Sequence, residues 1–194
     1  MNGPVIFRRV AGDVRSHAGH DRSSEAMAIA DDIAKIIEQE RGLVFPAFDE
    51  HIAFAIGLAI RERAVRESLG LVADVRLWDR PLFYCAMPGT TGDNPNWVRR
   101  KVNSVRLLLR STYRLVLEAG GTERLFPPHR ALAPDDYVMA GGSFPITVRG
   151  VGVIGAATVS GLHERDDHEV VVAAICGVLG VDAAAFALPP RREG

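Results

Sequence analysis

Lysine is almost missing from this chain of 194 residues: Lys35 and Lys101 stand against 21 arginines. The 23 basic and 24 acidic residues leave a formal net charge of −1. No global field therefore draws the chain to nucleic acid or to an anionic membrane. Cysteine is scarce too. Cys85 and Cys176 sit in apolar runs with no CxxC and no Cys/His spacing of the zinc type, so neither a disulfide framework nor a structural metal is expected. No stretch approaches the roughly 18 uninterrupted apolar residues of a membrane span. The apolar run at residues 4–7 is too short for a signal-peptide core. Repeats and low-complexity tracts are absent as well. These absences point to a reduced, cytoplasmic protein without a membrane or nucleic-acid partner.

What is present is an ordinary globular mixture, 47% hydrophobic and 24% charged, long enough to bury one core in one domain. Residues 1–21 lack apolar periodicity and read as a flexible arm, and residues 189–194 as a tail. A helix is predicted from a Ser23 or Ser24 cap to Gly42, carried by Ala26, Ile29, Ala30, Ile33, Ile36 and Ile37. A short extended piece follows at residues 43–45. Asp49 caps a second helix to about Ser68. Residues 71–77 alternate as a strand, and the compact apolar run at 82–87 reads as a central strand. Asn94 or Asn96 then caps a long helix to about Leu117, and residues 120–136 form an irregular connector. Residues 144–149 and 153–160 make a hairpin, and the last helix covers about 164–179. Paired strands separated by a helix predict a single α+β domain, an antiparallel sheet packed by segregated helices.

Several constellations invite a chemical reading. Gly150, Gly152 and Gly155 match G-x-G-x-x-G, but strand patterning on both sides favours a hairpin turn over a nucleotide loop. The long helix carries Asn96, Arg99, Asn103, Arg106, Arg110 and Arg114 on one face, with Arg100 and Lys101 on its shoulders. Such a face suits a carboxylate or phosphate, or acids of a neighbouring subunit. Trp97 is placed either to anchor packing or to stack on a planar ligand. Gly141 and Gly142 permit close backbone approach. His163 and Asp167, four residues apart, can share a ligand. His168 can be a structural histidine, a base or an iron ligand. No catalytic triad or carboxylate pair is visible in the spacing.

Together these segments resemble a known group. The run Asn94 to Val105 is similar to its N-x-x-W-x-x-R-K-x-N-x-V helix. Ala140-Gly141-Gly142-Ser143-Phe144-Pro145-Ile146, Gly152-Val153-Ile154-Gly155, Val159-Ser160-Gly161-Leu162 and Asp167-His168 are similar to the run that follows it. The group is a branch of the haem-degrading-domain family, related to the GlcG-like and HbpS haem-binding proteins, and the match covers about residues 43–180. The resemblance implies a profilin-like domain over residues 22–188, an antiparallel sheet of about five strands, and ring-like homo-oligomers. It implies a ligand that is haem or a similar planar, anionic tetrapyrrole, with slow oxidative degradation as an accompanying activity. Candidate ligand contacts are Asn96, Trp97, Arg100, Lys101, Asn103, Gly141, Gly142, Ser143, Pro145, Ser160 and Asp167, with His168 as the candidate iron ligand. Residues 52–57 depart from the group's Asp-Ala-Trp-like start. Two alternatives stay open: an oligomeric scaffold whose Arg face and Asp166/Asp167 pair between subunits, and an enzyme acting on a small metabolite.

Overall fold

A computed structural model describes residues 17–121 and 124–190, the backbone alone for 17–25. Helix α1 covers His17–Gly42, starting ahead of the expected serine cap, so residues 17–21 of the anticipated arm are helical and residues 1–16 lie outside the described residues. β1 is the two-residue strand Val44–Phe45. α2 covers Glu50–Glu67, and the Asp49 carboxylate caps it by accepting from the Ile52 amide at 2.9 Å. The hairpin β2, Val72–Leu77, and β3, Pro81–Ala86, follows. Helices α3, Asn94–Leu108, and α4, Thr112–Glu118, lead to a second hairpin, β4, Ser143–Val148, and β5, Gly152–Ser160. The last helix, α5, is Glu164–Leu179, and a 3₁₀ turn lies beyond it at Ala183–Phe186.

The five strands form one sheet in the order β1-β4-β5-β2-β3. Every pairing is antiparallel except β1 with β4, which is parallel, so the sheet is mixed. The β4–β5 turn places Gly150 and Gly152 at φ +76° and +100°, a region that glycine enters without a Cβ clash. The G-x-G-x-x-G pattern is thus a strand-to-strand turn.

Side chains alternate across the sheet, and helices cover both faces. Ala73, Val75, Phe144, Ile146, Ala157 and Val159 join α2 and α5 in the main core. Val72 and Ala156 point the other way and meet Val98, Val102 and Val105 of α3. The expected α+β sheet packed by helices is therefore observed, with helices on both of its faces. Without α3 this second face would be open to water, and the apolar stripe of α3 covers it.

Two further expectations change. The run at 82–87 is an edge strand: Phe83 packs beneath α2 while Tyr84 on the opposite face is exposed. Its apolar density comes from one helix lying over it. The predicted helix to Leu117 breaks at Leu109, which takes a left-handed conformation at φ +55°. Glu40 of α1 accepts from the Ser111 amide at 2.7 Å and from Arg114 at 2.7 Å. This tie swings α4 onto α1, where Tyr113 and Leu117 pack with Ile36 and Leu188.

Gly57 shows how closely α2 and β3 approach. A Cβ there would stand 2.2 Å from the Phe83 ring. Gly57→Ala is expected to lower stability by about 1–3 kcal/mol through overpacking, read as a lower urea midpoint at unchanged slope.

Candidate functional site

The helices on opposite faces of the sheet meet at one end of it. Lys101 of α3 extends past the start of β4 and reaches Asp167 of α5. Its ammonium donates to Asp167 Oδ2 and to the Val159 carbonyl, both at 2.9 Å. Both side chains are about 96–97% buried. Asp167 Oδ1 accepts from the Leu162 amide at 3.0 Å. Burial raises the Asp167 pKa, opposed by Lys101 and by the amides of Leu162 and Gly161. Gly142 makes the meeting possible: a Cβ on it would lie 2.5 Å from the Val159 carbonyl, 2.7 Å from Asp167 and 2.9 Å from the Lys101 nitrogen. Its φ of +112° is a second reason for glycine there.

Above this pair opens a cleft of about 360 Å³, lined among others by Asn94, Trp97, Lys101, Arg124, Ser160, His163, Glu164 and Asp167. That volume lies within the range of small-molecule sites. The Trp97 indole donates to Asp93 at 2.6 Å, and the Arg100 guanidinium stands 5.0 Å from its ring centroid. These two contacts fix the ring plane. Arg124 faces Glu164 at 3.4 Å. His163 caps α5, its Nδ1 accepting from the Arg165 amide at 3.4 Å. A neutral ring used in this way carries its proton on Nε2. Lys101 has three donors and spends two on protein, which leaves one for the cleft it lines.

Of the residues expected to contact a ligand, Trp97, Lys101, Ser160 and Asp167 converge on this cleft. Gly141 and Gly142 lie behind it, Gly141 against the Glu164 backbone. Arg100 supports Trp97; its Nε is buried without a partner and its Nη2 faces the Tyr137 carbonyl at 3.4 Å. Asn96 and Asn103 are elsewhere: Asn96 accepts from Arg99, and Asn103 donates to the Asp136 carbonyl. Ser143 is within the sheet, bonded to Thr158 at 2.8 Å, and Pro145 is buried in β4. Asn94, Arg124 and Glu164 belong to the cleft without having been singled out as ligand contacts. Glu164 was legible only as a helix-terminal acid, and Arg124 lies in a connector with no periodicity to read.

His168 requires a correction. It faces the core, fully buried, with Nε2 at 2.8 Å from Gln39 Oε1 and its ring against Tyr113 and Phe144. Nδ1 is buried without a partner. An iron ligand needs a nitrogen facing open space, and neither nitrogen has one. Asp167 is likewise taken up inside its own chain by Lys101, not between subunits. Three arginines of the Arg face are also internally paired: Arg99 meets Asp136, and Arg110 and Arg114 meet Glu118. Among the described residues no cluster of three or more His, Cys, Asp or Glu is placed to hold a metal, and no helix is long and apolar enough to cross a membrane.

A family model described as haem degrading protein HbpS-like matches residues 48–176. The chain is 58% identical over 167 residues to UPF0303 protein mlr5144 of Mesorhizobium japonicum, covering 86% of this chain and 100% of that protein. The crystal structure of Ybr137w protein superposes with a TM-score of 0.68 at 21% identity, over 76% of this chain and 87% of that one. The PduOC:Heme complex superposes with a TM-score of 0.57 at 20% identity, over 71% and 98% respectively. At those identities the two structures share the fold.

Two measurements test the site. Asp167→Ala strands a buried ammonium and is expected to lower stability by about 3–5 kcal/mol, whereas Lys101→Met combined with Asp167→Leu recovers most of that loss. Chemical denaturation of the two variants beside the unmodified chain reads the difference. Burial, with Arg165 adding to it, lowers the His168 pKa to about 3. An unfolded imidazole titrates near ~6.5, so the unfolded chain takes up this proton first and the stability from neutral His168 is lost as pH falls from there. His168→Gln should flatten the stability–pH slope between those limits, by up to about 1.4 kcal/mol per pH unit.

Proposed function

The chain belongs to the family of HbpS-like haem-degrading proteins, and from that premise we propose that its cleft binds a planar molecule bearing acid groups. Haem is the candidate supplied by the family description and by the haem-bearing structural neighbour. The observation that carries the reading is the convergence of an aromatic ring, Trp97, with the cations of Lys101 and Arg124 on one open cleft. Trp97 offers a flat surface held by Arg100, while Lys101 and Arg124 offer charge-assisted donors to carboxylates.

The fit to haem divides. The cleft suits the acid groups and ring of such a molecule, but His168, the histidine expected to hold iron, lies in the core with Nε2 spent on Gln39. No oxidative step is therefore assigned to these residues. A second reading, self-association, is supported by a different face. Phe54, Leu58 and Val65 of α2 are 51%, 42% and 54% exposed, beside the edge strand β3.

Titration of the full chain with haem, followed in the Soret region and by tryptophan fluorescence, tests the first reading. Saturable binding is expected, weakened by about tenfold in Arg124→Gln and in Trp97→Ala, and unchanged in His168→Gln. Non-saturating absorbance, or binding indifferent to both cleft substitutions, overturns it. Light scattering on the same samples reads the second: a mass above one chain that falls to one chain in Leu58→Glu supports it.

A further inference from the structure

The cleft is richer in donors than in free acceptors. Five of its side chains could in principle offer a lone pair to a metal: His163, Glu164, Asp167, the Ser160 hydroxyl and the Asn94 amide oxygen, and the last already accepts from the Thr91 amide at 2.8 Å. His163 uses Nδ1 to accept from the Arg165 amide, which leaves Nε2 protonated and turns the ring into a donor. Asp167 has one oxygen on Lys101 and the other on the Leu162 amide. Turning that carboxylate to a metal would strand the ammonium of Lys101 in a buried position. Glu164 has its Oε2 at 3.4 Å from the Arg124 guanidinium, and turning it to a metal would give up that ion pair. A neutral serine hydroxyl is a weak ligand by comparison. Against these stand Lys101, Arg124 and the His163 Nε2–H, all suited to donating to the carboxylates of a ligand.

We propose that this cleft grips its ligand by the ligand's carboxylates and aromatic face and supplies no ligand to a metal centre, so that an iron-bearing macrocycle and its metal-free counterpart bind alike. The proposal rests on the reading of the cleft as a site for planar acids. It extends that reading by separating two grips that a haem titration alone merges. A grip through iron discriminates sharply against a metal-free ring. A grip through acid groups ignores the centre and responds to every change in the surrounding donors. His163 then acts as a binding residue through its Nε2–H, and its replacement affects both ligands equally.

The test uses the full chain with two probes, iron(III) protoporphyrin and metal-free protoporphyrin, each followed by quenching of tryptophan fluorescence. The two dissociation constants are expected to agree within about threefold. His163→Gln, whose amide can still donate, should weaken both to the same extent, by less than about tenfold. Agreement on the unmodified protein needs no variant and so does not depend on one folding. Binding of the iron form alone, or a loss in His163→Gln confined to the iron form together with a shifted Soret band, overturns the proposal while leaving the cleft as a ligand site. Binding of neither probe overturns the cleft reading itself, and this proposal with it.

Discussion

Lys101 and Asp167 form the contact on which the rest of this molecule turns. They belong to helices on opposite faces of the sheet, and they meet only because the chain narrows to glycine at the start of β4. A buried ion pair is a weak source of stability compared with apolar packing of the same volume, since both charges must leave water. Its effect here is one of register. The pair fixes how far α3 can slide along its face relative to α5, and it holds the carbonyl of Val159 and the amide of Leu162 at the end of β5. The same two side chains floor the cleft, so the geometry of the site and the docking of the two helix layers are one constraint.

A second buried network lies on the far side of α5. Arg165 donates to Asp32 of α1 and to the Pro189 carbonyl, while Gln39 joins His168 to the Phe186 carbonyl, the latter at 2.6 Å. These bonds lash α1 and the segment after α5 to the helix whose first turn forms one cleft wall. His168 is consumed by that task. Neighbours in sequence, Asp167 and His168 diverge because successive helical positions are turned by about 100°. One side chain faces the cleft and the next faces the core.

Membership in the HbpS-like family accounts for the fold and places this domain among proteins named for haem. A shared fold carries many sites, and the chemistry follows from the side chains that line the one at hand. In this chain those side chains include an aromatic ring, two cations and the two carboxylates that face them. The exposed apolar stripe on α2 lies across the sheet from α3.

Much of the architecture was legible in local pattern. The Asp49 cap, the bounds of α5, the two hairpins and the glycine turn all follow from periodicity, caps and φ preferences that act within a few residues. Trp97, Lys101, Ser160 and Asp167 were also marked as site residues by the family motifs. What the sequence determined alone was therefore most of the elements, and the short list of residues from which a site could be drawn. Tertiary structure decided which of them meet. It broke the long helix at Leu109 because Glu40, about seventy positions earlier, captures the Ser111 amide. It moved the run at 82–87 to the edge, brought Arg124 to the cleft and sent His168 to Gln39, 129 residues away. Each of those outcomes depends on contacts between segments far apart in the chain, where burial and hydrogen-bond satisfaction outweigh local preference.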